Sequence, residues 1–138
     1  MQKLRSLETA VFALLLLAPA IAPAQRQTVE QVAQTIAAQH NANSLTSKDE
    51  MVASSSARAI GKNVTFENVL RVQQGLSQAK LREFADYARN EVIPKTCQVP
   101  GNHLGFDRGM SYTFVYKSEY GELLTQFNVD KTTCEKWK

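Results

Sequence analysis

Cysteine is scarce in this 138-residue chain: there are two, Cys97 and Cys134. They form no C-x-x-C pair, so thiol-exchange chemistry has no motif to rest on. No cysteine follows the early apolar run, so a lipid-modified N-terminal cysteine is not expected. Runs of basic residues are also lacking. Lys62, Lys80, Lys95, Lys117 and Lys131 are spread along a chain of formal net charge +3, which argues against nucleic acid as a partner. No Gly-x-Ser-x-Gly elbow and no Gly-Lys-Ser/Thr phosphate loop occurs. No apolar stretch reaches the roughly 20 residues that span a membrane.

What the N-terminus does have is the layout of an export signal. Lys3 and Arg5 precede the apolar run AVFALLLLAPAIA at 10–22, interrupted by Pro19, and Ala22-Pro23-Ala24 fits the small-x-small pattern of signal-peptide cleavage. Cleavage is expected after Ala24. Residues 1–24 are then a secretory signal peptide and residues 25–138 one small domain, with no stable membrane anchor. In an exported domain two cysteines are most simply a disulfide, because the compartment is oxidising and a small core gains from a cross-link. Joining Cys97 to Cys134 closes a loop of about 37 residues, worth about 4 kcal/mol in the chain-entropy treatment.

Periodicity sets out the elements. Thr28 and Gln31 have capping-box spacing, and Val29, Val32, Ala33, Ile36 and Ala37 form one apolar stripe, so a short helix is expected to end near His40. A loop is expected at 41–47. Gly61-Lys62-Asn63 then reads as the turn of a hairpin. Its second arm alternates Val64, Phe66, Leu70 and Val72 against Thr65, Glu67 and Arg71; its first arm, rich in Ser and Ala, has weak strand propensity. Ser77 caps a second helix with the stripe Leu81, Phe84, Ala85, Ala88 and Val92, expected to stop at Pro94. Lys80, Arg82, Glu83, Asp86, Arg89 and Glu91 make its solvated face. Met110, Tyr112, Phe114 and Tyr116 alternate into a second hairpin that turns at 118–121 and returns through Leu123, Thr125, Phe127 and Val129. The expected fold class is α+β: two helices packed on one side of a four-stranded antiparallel sheet, in helix-hairpin-helix-hairpin order.

The stretch CQVPGNHLGFDRG leaves a choice between structure and chemistry. Gly101, Gly105 and Gly109 read as a loop whose backbone needs unusual φ angles. His103 with Asp107 has the makings of a general base and its orienter, with Ser111 nearby, which defines the alternative of a small periplasmic hydrolase. The plainer reading is a surface histidine and an Asp107–Arg108 pair bracing the loop. Cys97, His103, Asp107 and Cys134 match no compact zinc spacing, and oxidation removes both thiolates, so neither metal nor cofactor is expected. Tyr112, Phe114 and Tyr116 are expected to pack under the helices. The opposite side of the sheet carries Thr65, Val69, Arg71, Thr113, Val115, Leu124, Gln126 and Asn128, a mixture that suits solvent or a protein partner. Asn63-Val64-Thr65 has the glycan-acceptor pattern.

The segment from Cys97 to Cys134, with Asp107-Arg108-Gly109, Tyr112-x-Phe114-x-Tyr116, Gly121, Val129 and the closing cysteine, resembles small exported bacterial proteins of the quorum-sensing-regulated virulence factor type. The resemblance covers about the last 40 residues and implies a periplasmic or secreted protein linked to host interaction, with no chemistry to carry over. The expectation is therefore an exported, non-enzymatic, protein-binding module. Val115, Leu124, Arg71, His103 and Arg108 are its candidate binding residues, on the open sheet side and the glycine segment.

Overall fold

A computed structural model describes residues 26–44 and 49–137; the expected signal peptide and part of the expected loop at 41–47 lie outside the described residues. The elements run α1 (Val29–Ser44), β1 (Val52–Ile60), β2 (Asn63–Leu70), α2 (Gln78–Gln98), α3 (Pro100–Asp107), β3 (Ser111–Ser118), β4 (Leu123–Val129) and α4 (Lys131–Lys136). The capping box at α1 forms as its spacing dictates: the Thr28 N–H donates to Gln31 Oε1 at 2.9 Å and the Gln31 N–H donates to Thr28 Oγ1 at 3.2 Å. Ser77 likewise accepts from the Lys80 N–H at the start of α2.

The fold is α+β with one four-stranded sheet in the order β1-β2-β3-β4, but the sheet is mixed. β1–β2 and β3–β4 are antiparallel hairpins, whereas β2 and β3 run parallel in the register Val64↔Tyr112, Phe66↔Phe114 and Asn68↔Tyr116. The all-antiparallel expectation fails because α2 and α3 carry the chain back along the sheet before β3 begins, and a crossover of that length returns the next strand in the direction of the last.

Three local departures from the sequence reading share a cause in tertiary packing. First, α1 continues to Ser44, because its last turns lie along β1. The Asn41 side chain donates to the Ala57 carbonyl (2.9 Å) and accepts from the Ala57 N–H (2.7 Å), behaving toward this edge strand as a peptide group would. Small Ala33, Ala37 and Ala57 are all buried at this junction, and that close approach overrides the weak strand propensity of Ser54-Ser55-Ser56. Second, α2 runs through Pro94 to Gln98. Proline removes one backbone bond there, but Ile93 is buried and Cys97 is bonded to Cys134, so the last turn is held from both sides.

Third, the glycine segment is the helix α3, with Pro100 in its first turn. Of its three glycines, Gly109 alone has the positive φ expected of a loop, +91°. Gly105 serves a different end: a β-carbon there would stand 2.8 Å from Met110 Sδ, and Met110 is buried. α4, a six-residue helix capped by Asp130, completes the chain and brings Cys134 to Cys97, Cα atoms 5.5 Å apart. The sequence reading contained no helix there, since Lys131–Lys136 has no apolar periodicity.

A β-carbon at Gly101 would meet nothing within 4 Å, so the three glycines should separate on substitution. Gly101→Ala is expected to be neutral or to stabilise by up to about 1 kcal/mol. Gly105→Ala should cost about 1–3 kcal/mol through overpacking on Met110, and Gly109→Ala about 1–2 kcal/mol through the left-handed backbone. Denaturant unfolding of the three variants checks the order.

Candidate functional site

The helical side of the sheet is covered unevenly. α1 packs on β1 and β2 and α2 on β4, with little or no contact between the two helices. Beneath them one apolar cluster includes Val29, Ala33, Val64, Ile93, Phe106, Met110, Tyr112 and Val129, all buried, so the end of the sheet near α3 is sealed. Asn102 helps to seal it: its Nδ2 donates to the Thr96 carbonyl (2.8 Å) and its Oδ1 accepts from the Tyr112 hydroxyl (2.9 Å).

Toward the other end Phe66, Phe114 and Tyr116 belong to the same cluster but are only half-buried. These rings lie on the central strands β2 and β3, while α1 packs chiefly on β1 and α2 on β4, and their partial exposure fits a shallow trough between the two helices. The floor of this trough is ordered. Phe66 stacks on Phe114 (centroids 5.2 Å), Phe114 on Phe127 (5.5 Å), and Phe84 from α2 meets Tyr116 edge-on at 5.7 Å. Phe84 also lines a groove of about 430 Å³ along α2, together with Leu76, Tyr87, Lys80 and Glu83. Tyr87 is 65% exposed there, and Lys80 and Glu83 pair with each other at 3.3 Å. Aromatic surface that is rigid, partly exposed and rimmed by charge is what protein interfaces use at their energetic centres.

His40, on α1, meets Phe66 edge-on at 5.0 Å, and its Nε2 lies 2.8 Å from Ser55 Oγ. The Ser55 hydroxyl donates to Asn68 Oδ1 at 2.8 Å. With its single proton committed to Asn68, Ser55 accepts from His40, so the histidine acts here as a donor and does not activate the hydroxyl as a nucleophile. Burial pushes the His40 pKa below its ordinary value of 6.5.

The residues proposed from sequence do not gather into one site. Val115 and Leu124 are only 8% and 6% exposed, so they offer a partner little area. Arg71 clamps the start of β1: its Nη1 donates to the carbonyls of Glu50 (2.7 Å) and Val52 (3.0 Å). His103 is exposed on α3, and among the described residues no hydrogen bond joins it to Asp107. The expected Asp107–Arg108 pair does not form either: Asp107 pairs with Lys131 at 3.2 Å, and Arg108 Nη2 donates to the Gln27 carbonyl at 3.1 Å. Among the described residues no group of three His, Cys, Asp or Glu side chains could hold a metal ion, and no helix is long and apolar enough to cross a membrane.

The open side of the sheet is largely bonded to itself. Asn63 Nδ2 donates to Ser111 Oγ (2.9 Å) and Thr113 Oγ1 (3.0 Å), Thr113 donates to Asn128 Oδ1 (2.9 Å), and Lys117 pairs with Glu67 across β2 and β3 at 2.9 Å. This lattice also occupies the amide of the glycan-acceptor pattern. Tyr112, Phe114 and Tyr116 do pack on the helical side, as their alternation predicts, but the partial exposure of the last two is not legible from it. The available signal was the small residues Ala33, Ala37, Ala85 and Ala88, which draw the helices close to the sheet margins.

No protein-family model matches the chain, and no curated protein matches it in sequence. Solved structures share its fold. A protein of Pseudomonas aeruginosa classed as secreted superposes with a TM-score of 0.62 at 12% identity, covering 77% of this chain and 92% of that one. EpsS, the pilotin of the Vibrio vulnificus type 2 secretion system, gives 0.58 at 16% identity, covering 77% and 91%. AspS, the type II secretion system pilotin of Vibrio cholerae, gives 0.52 at 18% identity, covering 77% and 92%. The chain thus has the fold of these proteins, closed by the Cys97–Cys134 disulfide.

Because the folded-state pKa of His40 is lowered, the unfolded chain binds its proton more readily, and stability should fall as pH drops below about 6.5 and through the folded-state value. The contribution of Asp130 is lost in a separate, more acidic window, since the Thr133 N–H holds its carboxyl below the usual range. Denaturant midpoints measured from about pH 7.5 to 5 should show this slope, flattened in His40→Gln; an identical slope in the variant would remove His40 from the account.

Proposed function

We propose that this protein is an exported, non-enzymatic module of the bacterial envelope or secreted fraction that binds another protein through the aromatic trough between α1 and α2. The observation that carries the reading is the partial exposure of Phe66, Phe114 and Tyr116 on the side of the sheet that the helices cover. Apolar aromatic area held rigid before binding avoids much of the ordering cost of association, and the disulfide and stacked rings supply that rigidity. The pilotin and secreted proteins that share the fold support both export and an envelope protein as partner. The N-terminal signal pattern and the disulfide support a periplasmic or extracellular location. The likeness of the last third to quorum-sensing-regulated virulence factors extends the reading to a role in host interaction. Against hydrolysis stands the engagement of Asp107 by Lys131, which leaves His103 without an orienting carboxylate.

The test is capture from an envelope extract of the native organism with the oxidised protein as bait. Tyr116→Ala and Phe84→Ala, checked for unchanged folding, are expected to weaken capture of the partner by about tenfold or more, as central aromatic contacts do. Gln126→Lys and Asn128→Lys on the open side should leave it unchanged. The opposite pattern would move the binding surface to the open side.

A further inference from the structure

The Asp107-Arg108-Gly109 stretch has no part in the trough, yet it sits where three cations converge. Arg108 and Arg26 line one groove of about 480 Å³ with Gln27 and Val32, and among the described residues no carboxylate lines it. The Lys62 side chain lies over the next residue, Gly109: a β-carbon there would be 3.6 Å from its Cδ and 3.7 Å from its Nζ. The Lys62 ammonium is thus held in van der Waals range of the backbone next to Arg108. The nearby acid, Asp107, is taken by Lys131 at 3.2 Å. Among the described residues Arg26, Lys62 and Arg108 make no ion pair, while four other lysines do.

Arg108 is also oriented: one guanidinium nitrogen donates to the Gln27 carbonyl at 3.1 Å, which fixes the plane of the group at the groove wall. A guanidinium held this way retains further N–H donors, and the planar fork of arginine matches a tetrahedral oxyanion with two parallel hydrogen bonds. Two guanidinium groups and an ammonium suit the several oxygens of a tetrahedral phosphate better than the two of a carboxylate.

We propose that the groove formed by Arg26, Gln27 and Arg108, with Lys62 beside it, binds a phosphate group. The shared chemistry is a phosphate ester or free phosphate, and in an envelope protein its two sources are the headgroup of an anionic phospholipid and a soluble phosphate. This site is independent of the partner-binding trough.

The purified oxidised protein is titrated with inorganic phosphate at constant ionic strength and followed by amide chemical shifts. It is then floated with vesicles of phosphatidylglycerol and of phosphatidylcholine. Shifts centred on residues 26–32 and 106–110 are expected. Arg26→Gln with Lys62→Gln should weaken binding by about tenfold or more, and Arg82→Gln on α2 should leave it unchanged. Arg108→Gln also breaks the tie to Gln27, so the first two substitutions, which spare that bond, carry the test. Flotation with phosphatidylglycerol alone supports the lipid source, and phosphate binding without flotation supports the soluble one. No response to phosphate and no flotation, or binding that survives Arg26→Gln with Lys62→Gln, overturns the proposal.

Discussion

The parallel pairing of β2 with β3 is the constraint on which the rest of this molecule depends. Each hairpin alone would place its apolar side chains on one face of a two-stranded ribbon too small to be stable in water. Joining the hairpins side by side, in parallel, sets Phe66 against Phe114 and Val64 against Tyr112, so the two aromatic sets become one continuous floor. The same pairing leaves β1 and β4 as the margins. α1 and α2 then find their closest packing at those margins, through small side chains, and the centre of the floor stays only half covered.

The two ends of the sheet are treated differently. At the α3 end, Phe106, Met110 and Tyr112 close the core, and the Cys97–Cys134 bond fastens the last turn of α2 to α4. A cross-link over this separation is worth about 4 kcal/mol, comparable to a large part of the net stability of a small domain. That reserve lets the opposite end keep aromatic area exposed. The open side of the sheet, by contrast, is satisfied by its own hydrogen bonds and by the Lys117–Glu67 pair, and so has little left to offer a partner.

Elements governed by local chemistry were legible in the sequence. The Thr28/Gln31 box, the Ser77 cap, the turn after Ile60 and the alternation from Tyr112 to Tyr116 all reappear in the structure, as does the disulfide, which the cysteine number and the expected export together suggest. What the sequence did not disclose was set by contacts distant along the chain. The Cys97–Cys134 bond is expected from the sequence, but nothing near Pro94 announces that the turn which the bond holds stays helical. The regular spacing of Gly101, Gly105 and Gly109 suggests one cause, yet it has separate ones: Met110 explains Gly105 and a positive φ explains Gly109. The direction of β3 depends on the path of the crossover, which side-chain alternation does not encode. The trough was missed for the same reason, since exposure of Phe114 depends on where two helices come to rest.

The central claim is most directly tested by backbone nuclear Overhauser contacts between β2 and β3 in solution. The account predicts contacts that climb in the same direction on both strands, from Asn63 with Ser111 through Phe66 with Phe114 to Leu70 with Ser118. Contacts in which rising numbers on β2 meet falling numbers on β3 would contradict it, and with them would go the aromatic floor and the trough built on it.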